Sequence, residues 1–547
     1  MFCATQTQFL AGLFPEGCQH RGPGGRINTS PPPPAGLPGR INAPIQRAAL
    51  CTLRVAFVTP ELLSLVRRTS LAEVAECLPL ALRQRNVDAR VFLPYSSDIA
   101  PEAIADLRSV GEVEVVAGSD SKGTKNCTLE VFTGLSGTLP VVLFSEPKLF
   151  RSRHPYGDES GPYDNNWLRF SVFARGVLES FKLLGFTPAV IHCLDWTAGL
   201  IPLIHQLEYK DREGCPAAKA GTYFAAHNLA MQGAFEREIL PHIDIPHRWF
   251  RGTEGIELHG RVNYLKAGIE FATVIGTHSP SHALEIQEQD RGYGLEDVFA
   301  RRKKELVGIT NGIDYRAWDP ATDQLLAQPF DKADKELNWR RKCKAMLQQN
   351  LTLDNGPRTP IVALIGRFDT DNGFDLFIQA LTPILERNLE LVLMGTGPPE
   401  VIERLRTIEE TFAGRCRLID GYHVNIAHTI LAGADILLMP AHHHPSNALC
   451  AIAMRYGCVP LLYAQSGLQD IAIDAASSPK KGTGFTFARH NVESFLEGLD
   501  NARALYKKAS DWKTMVRRCL ALDFSWQTTA EDYIKAYRRV TRRIKGR

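Results

Sequence analysis

At 547 residues, 44% hydrophobic and 22% charged, the chain has the composition of a globular protein and the length for two or three well-filled domains. A formal charge of +3 excludes an argument for nucleic acid or a membrane surface as partner, and no run approaches the roughly 18 apolar residues of a membrane span. Twelve cysteines lie scattered without a CxxC pair or zinc-ligand spacing, which indicates reduced thiols.

Residues 1–50 differ from the rest: four arginines, one acid (Glu16) and a Pro/Gly-rich middle, RGPGGRINTSPPPPAGLPGR. Such a segment cannot bury a core and is expected to be disordered. An Arg-bearing, acid-poor leader is the pattern of an organellar transit peptide, although serine is scarce; a plain disordered tail is the alternative. From Leu53 the pattern becomes α/β. LRVAFVTP (53–60) reads as a buried strand, 71–86 as a helix, and DARVFLP (88–94) as a returning strand. Strands are expected at 139–145, 189–194 and 221–227, with a helix over 167–185; strands separated by helical crossovers imply a parallel sheet covered on both faces. After a charged stretch without obvious strands (331–355), strands recur at 360–368, 389–397, 416–422, 435–440 and 459–464. Two Rossmann-like lobes facing a cleft follow, at 51–318 and 319–547. The amphipathic, basic helix 530–545 either packs back across the lobes or lies in solvent.

The stretch Asp435–Gly457 places a strand, a polar turn and a small-residue helix in succession. In open α/β sheets ligands collect at the carboxyl ends of strands, and a helix N-terminus offers N–H groups to a phosphate. GTGPPE (395–400) also follows a strand; its glycines Gly395 and Gly397 either admit a phosphate or make a tight turn. Three consecutive histidines, His442–His444, sit in the turn, but adjacent residues cannot converge on one ion and no partner ligand is identifiable, so no metal is expected.

HCLDWTAGLIPL (192–203), AAHNLAMQGAFERE (225–238), VNYLKAGIEFA (262–272), GYGLEDVF (292–299), LVGITNGIDYRAWDPATD (306–323), ALIGRF (363–368), AGADILLMP (432–440), AMRYGCVPLL (453–462) and GTGFTF (482–487) are collinear from about residue 53 to 540. Together they resemble the starch and bacterial-type glycogen synthases, glycosyltransferase family 5. The resemblance implies a GT-B architecture of two Rossmann-like lobes. It also implies retaining transfer of glucose from ADP-glucose to the non-reducing end of an α-1,4-glucan, without metal or other cofactor, and a plastid location. By the same resemblance His227 lies near the donor glucose, Asp195 and Trp196 in the acceptor cleft, and Arg67, Gly366, Arg367, Gly395, Gly397 and His444 around ADP-glucose; His227, Asp195 and Arg367 would carry the chemistry. The implied partners are the α-glucan, the nucleotide sugar and other proteins of starch synthesis.

The departures concentrate at the expected diphosphate and sugar contacts. The family's K-T-G-G-L aligns with Arg67, Arg68, Thr69, Ser70 and Leu71, and Q-K-G becomes Asp371, Asn372 and Gly373. E-P-C-G-L opens at His444, with Asn447 in the glycine position. One lost preorganised transition-state contact costs ~10²–10³ in rate, and two or three, partly additive, leave on the order of 10⁻⁴ of normal activity. Three readings follow: a starch synthase-like glucosyltransferase, a catalytically impaired homologue acting as a glucan-binding or partner protein, and a two-lobe sugar-nucleotide transferase with a small acceptor.

Overall fold

The computed structural model describes residues 53–545 apart from 121–122, 152–153, 290, 355, 442–446 and 465–467; the leader 1–50 and His444 therefore lie outside the described residues. The first lobe is a nine-stranded sheet. Its spatial order is Leu306–Gly308, Val274–Thr277, Gly221–Ala225, Val190–Leu194, Arg54–Val58, Asp88–Pro94, Leu139–Ser145, Gly123–Ser136, Ala105–Asp120. The first seven run parallel. Strands such as VIHCL and GTYFA are buried at every residue, as a sheet covered on both faces requires. The last two form a long antiparallel hairpin, so the expectation of a purely parallel sheet is corrected. Its polar and glycine-interrupted sequence suits an edge with one wet face.

The second lobe carries six parallel strands in the order Cys416–Asp420, Glu390–Thr396, Ile361–Arg367, Ile436–Met439, Val459–Tyr463, Phe485–Phe487. Within the strandless charged stretch lies the helix Asn338–Asn350, whose cations fasten this lobe. The buried Arg340 guanidinium donates to the carbonyls of Leu431 (3.0 Å), Ala432 (2.7 Å), Ala434 (2.5 Å) and Tyr456 (2.8 Å). Those groups end the helices Val424–Gly433 and Asn447–Arg455, where carbonyls lack intrahelical partners and a cation is favoured. One turn on, Lys344 donates to Asp435 at 2.6 Å, and the Asp435 carboxylate also accepts from the Ile361 amide at 2.9 Å. The entry of strand Ile436–Met439 is thus pinned to its neighbour.

The terminal helix, Trp526–Lys545, returns to the first lobe. It buries Trp526, Ala530, Tyr533, Ala536, Tyr537 and Val540 against the helix Leu71–Gln84 and the strand Gly221–Ala225. A side chain at Gly221 would meet Val540 and Ile544 at 2.4 and 2.3 Å, so the glycine admits the helix. The Tyr537 hydroxyl lies 2.7 Å from His192 Nδ1. A further tie between the lobes runs from the Ser281 amide to Asp470 (2.7 Å), and Arg316, just before the second lobe, pairs with Glu76 at 3.2 Å. Arg67, beyond strand Arg54–Val58 of one sheet, lies within electrostatic reach of Tyr422, beyond strand Cys416–Asp420 of the other.

Candidate functional site

Asp195 and His227 meet at the carboxyl ends of adjacent first-lobe strands. Asp195 follows Leu194 with φ of 55°, a left-handed conformation that an L-residue keeps only when its surroundings fix it. The fixing is visible. The Asp195 amide donates to Ala225, while its carboxylate accepts from the amides of His227 (2.7 Å) and Asn228 (3.3 Å). Asp195 therefore shapes the turn that carries the histidine. Burial, opposed by those amides and assisted by the Glu61 charge, pushes its carboxyl up to about 7.

His227 keeps part of its surface open, yet its Nε2 is buried with no hydrogen-bond partner. Burial holds the ring down at about 4, so the imidazole is neutral at physiological pH. An unsatisfied buried ring nitrogen is costly unless a ligand completes it. Trp196 has another role: it is 6% exposed and packs against Phe170 at 4.9 Å, Tyr156 and Phe235. A side chain at Gly233 would come 2.3 Å from it. The indole props the neighbouring first-lobe loops from behind.

Arg67 begins the loop that leads into the helix Leu71–Gln84. Burial lowers its guanidinium to about 10, opposed by the nearby acidic groups Glu73 and the second-lobe Tyr422, so Arg67 lies within electrostatic reach of the second lobe. The loop itself is organised by Glu61, a wholly buried carboxylate. It accepts from the amides of Arg68 (2.6 Å) and Thr69 (2.7 Å), from Thr69 Oγ1 (2.9 Å) and from the Tyr156 hydroxyl. The following amide, Leu71, donates to Thr69 Oγ1 at 3.2 Å. Amides available to a diphosphate in a glycine-rich loop are here spent internally.

The second-lobe loop behaves similarly. Arg367 Nε lies 2.9 Å from Asp369 Oδ2, an ion pair by distance although the N–H is not aimed along it. Asp369 Oδ1 also accepts from the amide (3.0 Å) and side chain (2.6 Å) of Asn372. Gly366, Gly395 and Gly397 lie beside Arg367. A Cβ on Gly395 would sit 1.7 Å from the Gly366 carbonyl oxygen, and one on Gly397 2.9 Å from Phe368 Cβ, so strand packing already demands both. Gly373, with φ of 72°, lets the helix Phe374–Glu386 begin against Pro440. That contact brings the Arg367 loop to Pro440 and Ala441, the last described residues before His442. Sequence reasoning passed over Glu61, Tyr422 and Asn311, whose Oδ1 is buried without a partner like Nε2 of His227. For Glu61 the available signal was a carboxylate inside the apolar run after the first strand.

Two Rossmann-like lobes, with a histidine and an arginine at strand ends, define the class of fold: a two-lobed α/β architecture. The starch synthase catalytic domain family matches residues 54–301, and the family described as glycosyl transferases group 1 matches residues 359–503. The glycogen synthase of Geotalea daltonii is 35% identical over 90% of this chain and 100% of its own length. Glycogen synthase 2 of Geobacter sulfurreducens is 34% identical over 89% and 98%. Among solved structures, the catalytic domain of starch synthase IV from Arabidopsis thaliana, bound to ADP and acarbose, is 28% identical with a TM-score of 0.76, covering 90% of this chain and 100% of that one. A sucrose-phosphate synthase from Thermosynechococcus elongatus shares the fold at 14% identity, with a TM-score of 0.54 over 89% and 98%. The chain belongs to the starch and glycogen synthase family of glucosyltransferases.

Proposed function

We propose that the protein transfers glucose from ADP-glucose to the non-reducing end of an α-1,4-glucan with retention of configuration. The observation that carries this reading is the neutral, unsatisfied Nε2 of His227, held at a first-lobe strand end by Asp195. It is a hydrogen-bonding group awaiting a sugar hydroxyl. As the sugar–phosphate bond breaks, negative charge grows on the departing diphosphate, and stabilising such charge is the largest catalytic lever. Arg367 from the second lobe and Arg67 from the first are the cations assigned to it, with Gly366, Gly395 and Gly397 giving the second-lobe loop its close-packed path. His444 is assigned to the donor sugar through the family match alone. Family membership and the ADP and acarbose held by the Arabidopsis domain support the choice of donor and acceptor classes. Incubating the purified chain with ADP-glucose and glycogen tests it: ADP release that Arg367→Ala abolishes is expected, and silence with a folded protein refutes it.

A second reading, a glucan-associated homologue with little turnover, is supported by the internal carboxylates Glu61 and Asp369 on the two diphosphate-facing loops. It predicts no ADP or UDP release from either nucleotide sugar together with retained glucan binding. The leader is assigned to plastid targeting, which would bring the chain to starch and to other proteins of its synthesis.

A further inference from the structure

The first lobe carries an exposed aromatic ring that the reaction chemistry leaves unused. Tyr293, between Gly292 and Gly294, is 55% exposed and has φ of 56°, a left-handed conformation that is an outlier for a bulky residue. Side chains on either side hold the backbone around it. The amides of Gly292 (2.9 Å) and Gly294 (3.1 Å) both donate to Glu296 Oε1, and the Tyr293 carbonyl accepts from Gln232 Nε2 at 2.9 Å. Neither flank tolerates a side chain: a Cβ on Gly292 would lie 2.5 Å from the Ile286 carbonyl, and one on Gly294 2.9 Å from the His259 ring.

The loop is therefore held by side chains on both flanks of an exposed phenol ring. Its anchor, Gln232, stands five residues after His227 in the same segment. Burial and then the charge of Asp371, on the Arg367 loop of the opposite lobe, raise the Tyr293 hydroxyl. The ring thus lies within electrostatic reach of the second-lobe loop that follows Arg367. Exposed aromatic rings held in strained, over-determined backbone belong to binding surfaces rather than cores.

We infer that Tyr293 is an acceptor-specificity residue, a flat platform on which a glucosyl unit of the incoming chain, beyond the reacting one, lays its C–H face. The inference rests on the glucan reading above. A planar apolar face preformed at low entropic cost favours a chain of linked sugars over a single glucose, because only a chain can occupy both the reacting position and the platform.

Titrating the full chain calorimetrically with maltoheptaose, without donor, tests it alongside acceptor kinetics. Tyr293→Ala is expected to weaken maltoheptaose about tenfold and to raise the acceptor KM about as much, with kcat and the ADP-glucose KM unchanged. Tyr293→Phe and Tyr293→Trp should retain native affinity, since the ring rather than the hydroxyl makes the contact. If the native chain binds and Tyr293→Ala binds equally well, this assignment alone is overturned. A Phe variant as weak as the Ala variant overturns it as well, showing that the hydroxyl acts toward Asp371. A native chain that binds no maltoheptaose overturns the glucan reading and this assignment together.

Discussion

Replacing Asp195 by asparagine separates two ionisations that the structure sets about three units apart. The Asp195 carboxyl stands at about 7 and the His227 imidazole at about 4, both because burial penalises the charged form. If neutral His227 faces the sugar, at pH 5 about 90% of it is still in the working form, whereas an imidazole with the ordinary value of about 6.5 would retain about 3%. The carboxylate form of Asp195 is the stronger acceptor for the amides of His227 and Asn228. The native kcat/KM should therefore fall as the pH drops through about 7, level off, and fall again near 4. An asparagine oxygen still accepts those amides without ionising. Asp195→Asn should erase the limb near 7 and leave the one near 4, as read from initial rates of ADP release. Stability gives an independent check. A carboxyl raised in the folded state contributes stability that is full below its unfolded value near 3.8 and lost as pH rises through about 7; about three units correspond to at most about 4 kcal/mol. Asp195→Asn should then melt higher than the native protein at pH 8 and about equally at pH 4. A limb near 6.5 that persists in Asp195→Asn would refute the reasoning, because it would make His227 an ordinary solvated imidazole.

Restoring the Q-K pair, Asp371→Gln with Asn372→Lys, should raise kcat/KM for ADP-glucose by about 10–10², since a cation replaces an amide and an exposed anion is removed; no gain in ADP release would show that these positions do not face the diphosphate. Gly395→Ala must displace the Gly366 carbonyl from 1.7 Å, and thermal melting should record a loss of about 3 kcal/mol or more. Residues 1–50 fused to a fluorescent protein should direct it into plastids in plant cells, and diffuse fluorescence would remove the targeting assignment.

The central strands were legible because burial on both faces writes them as continuous apolar runs, VAFV and VIHCL among them. The hairpin Ala105–Ser136 was not, since an edge with a wet face alternates weakly, and Gly111 and Gly118 interrupt it at positive φ. The terminal helix announced an apolar face through its spacing, but spacing names no partner; only the fold sets Tyr537 against His192, some 345 residues away in sequence. The family motif led to His227 and Asp195, yet neither the orphaned Nε2 nor the amide cradle is a property of a motif. Both arise where two crossovers end side by side.

Charge counting in the loops was the weaker guide. The sequence shows Arg67 and Arg367 as retained cations beside altered neighbours, but not which donors those neighbours occupy. In the structure, capacity depends on what each neighbouring donor already serves. Asp369, two residues from Arg367, is near enough to share its charge, and Asn372 donates twice to that same carboxylate. Glu61, six residues ahead of Arg67, takes two amides and a hydroxyl of the following loop. A diphosphate would have to compete with both carboxylates for the same donors, and an anion already inside the fold needs no loss of translational freedom to bind. On the proposed reading, turnover would be governed less by which cations remain than by how readily the Glu61 and Asp369 contacts exchange for phosphate oxygens.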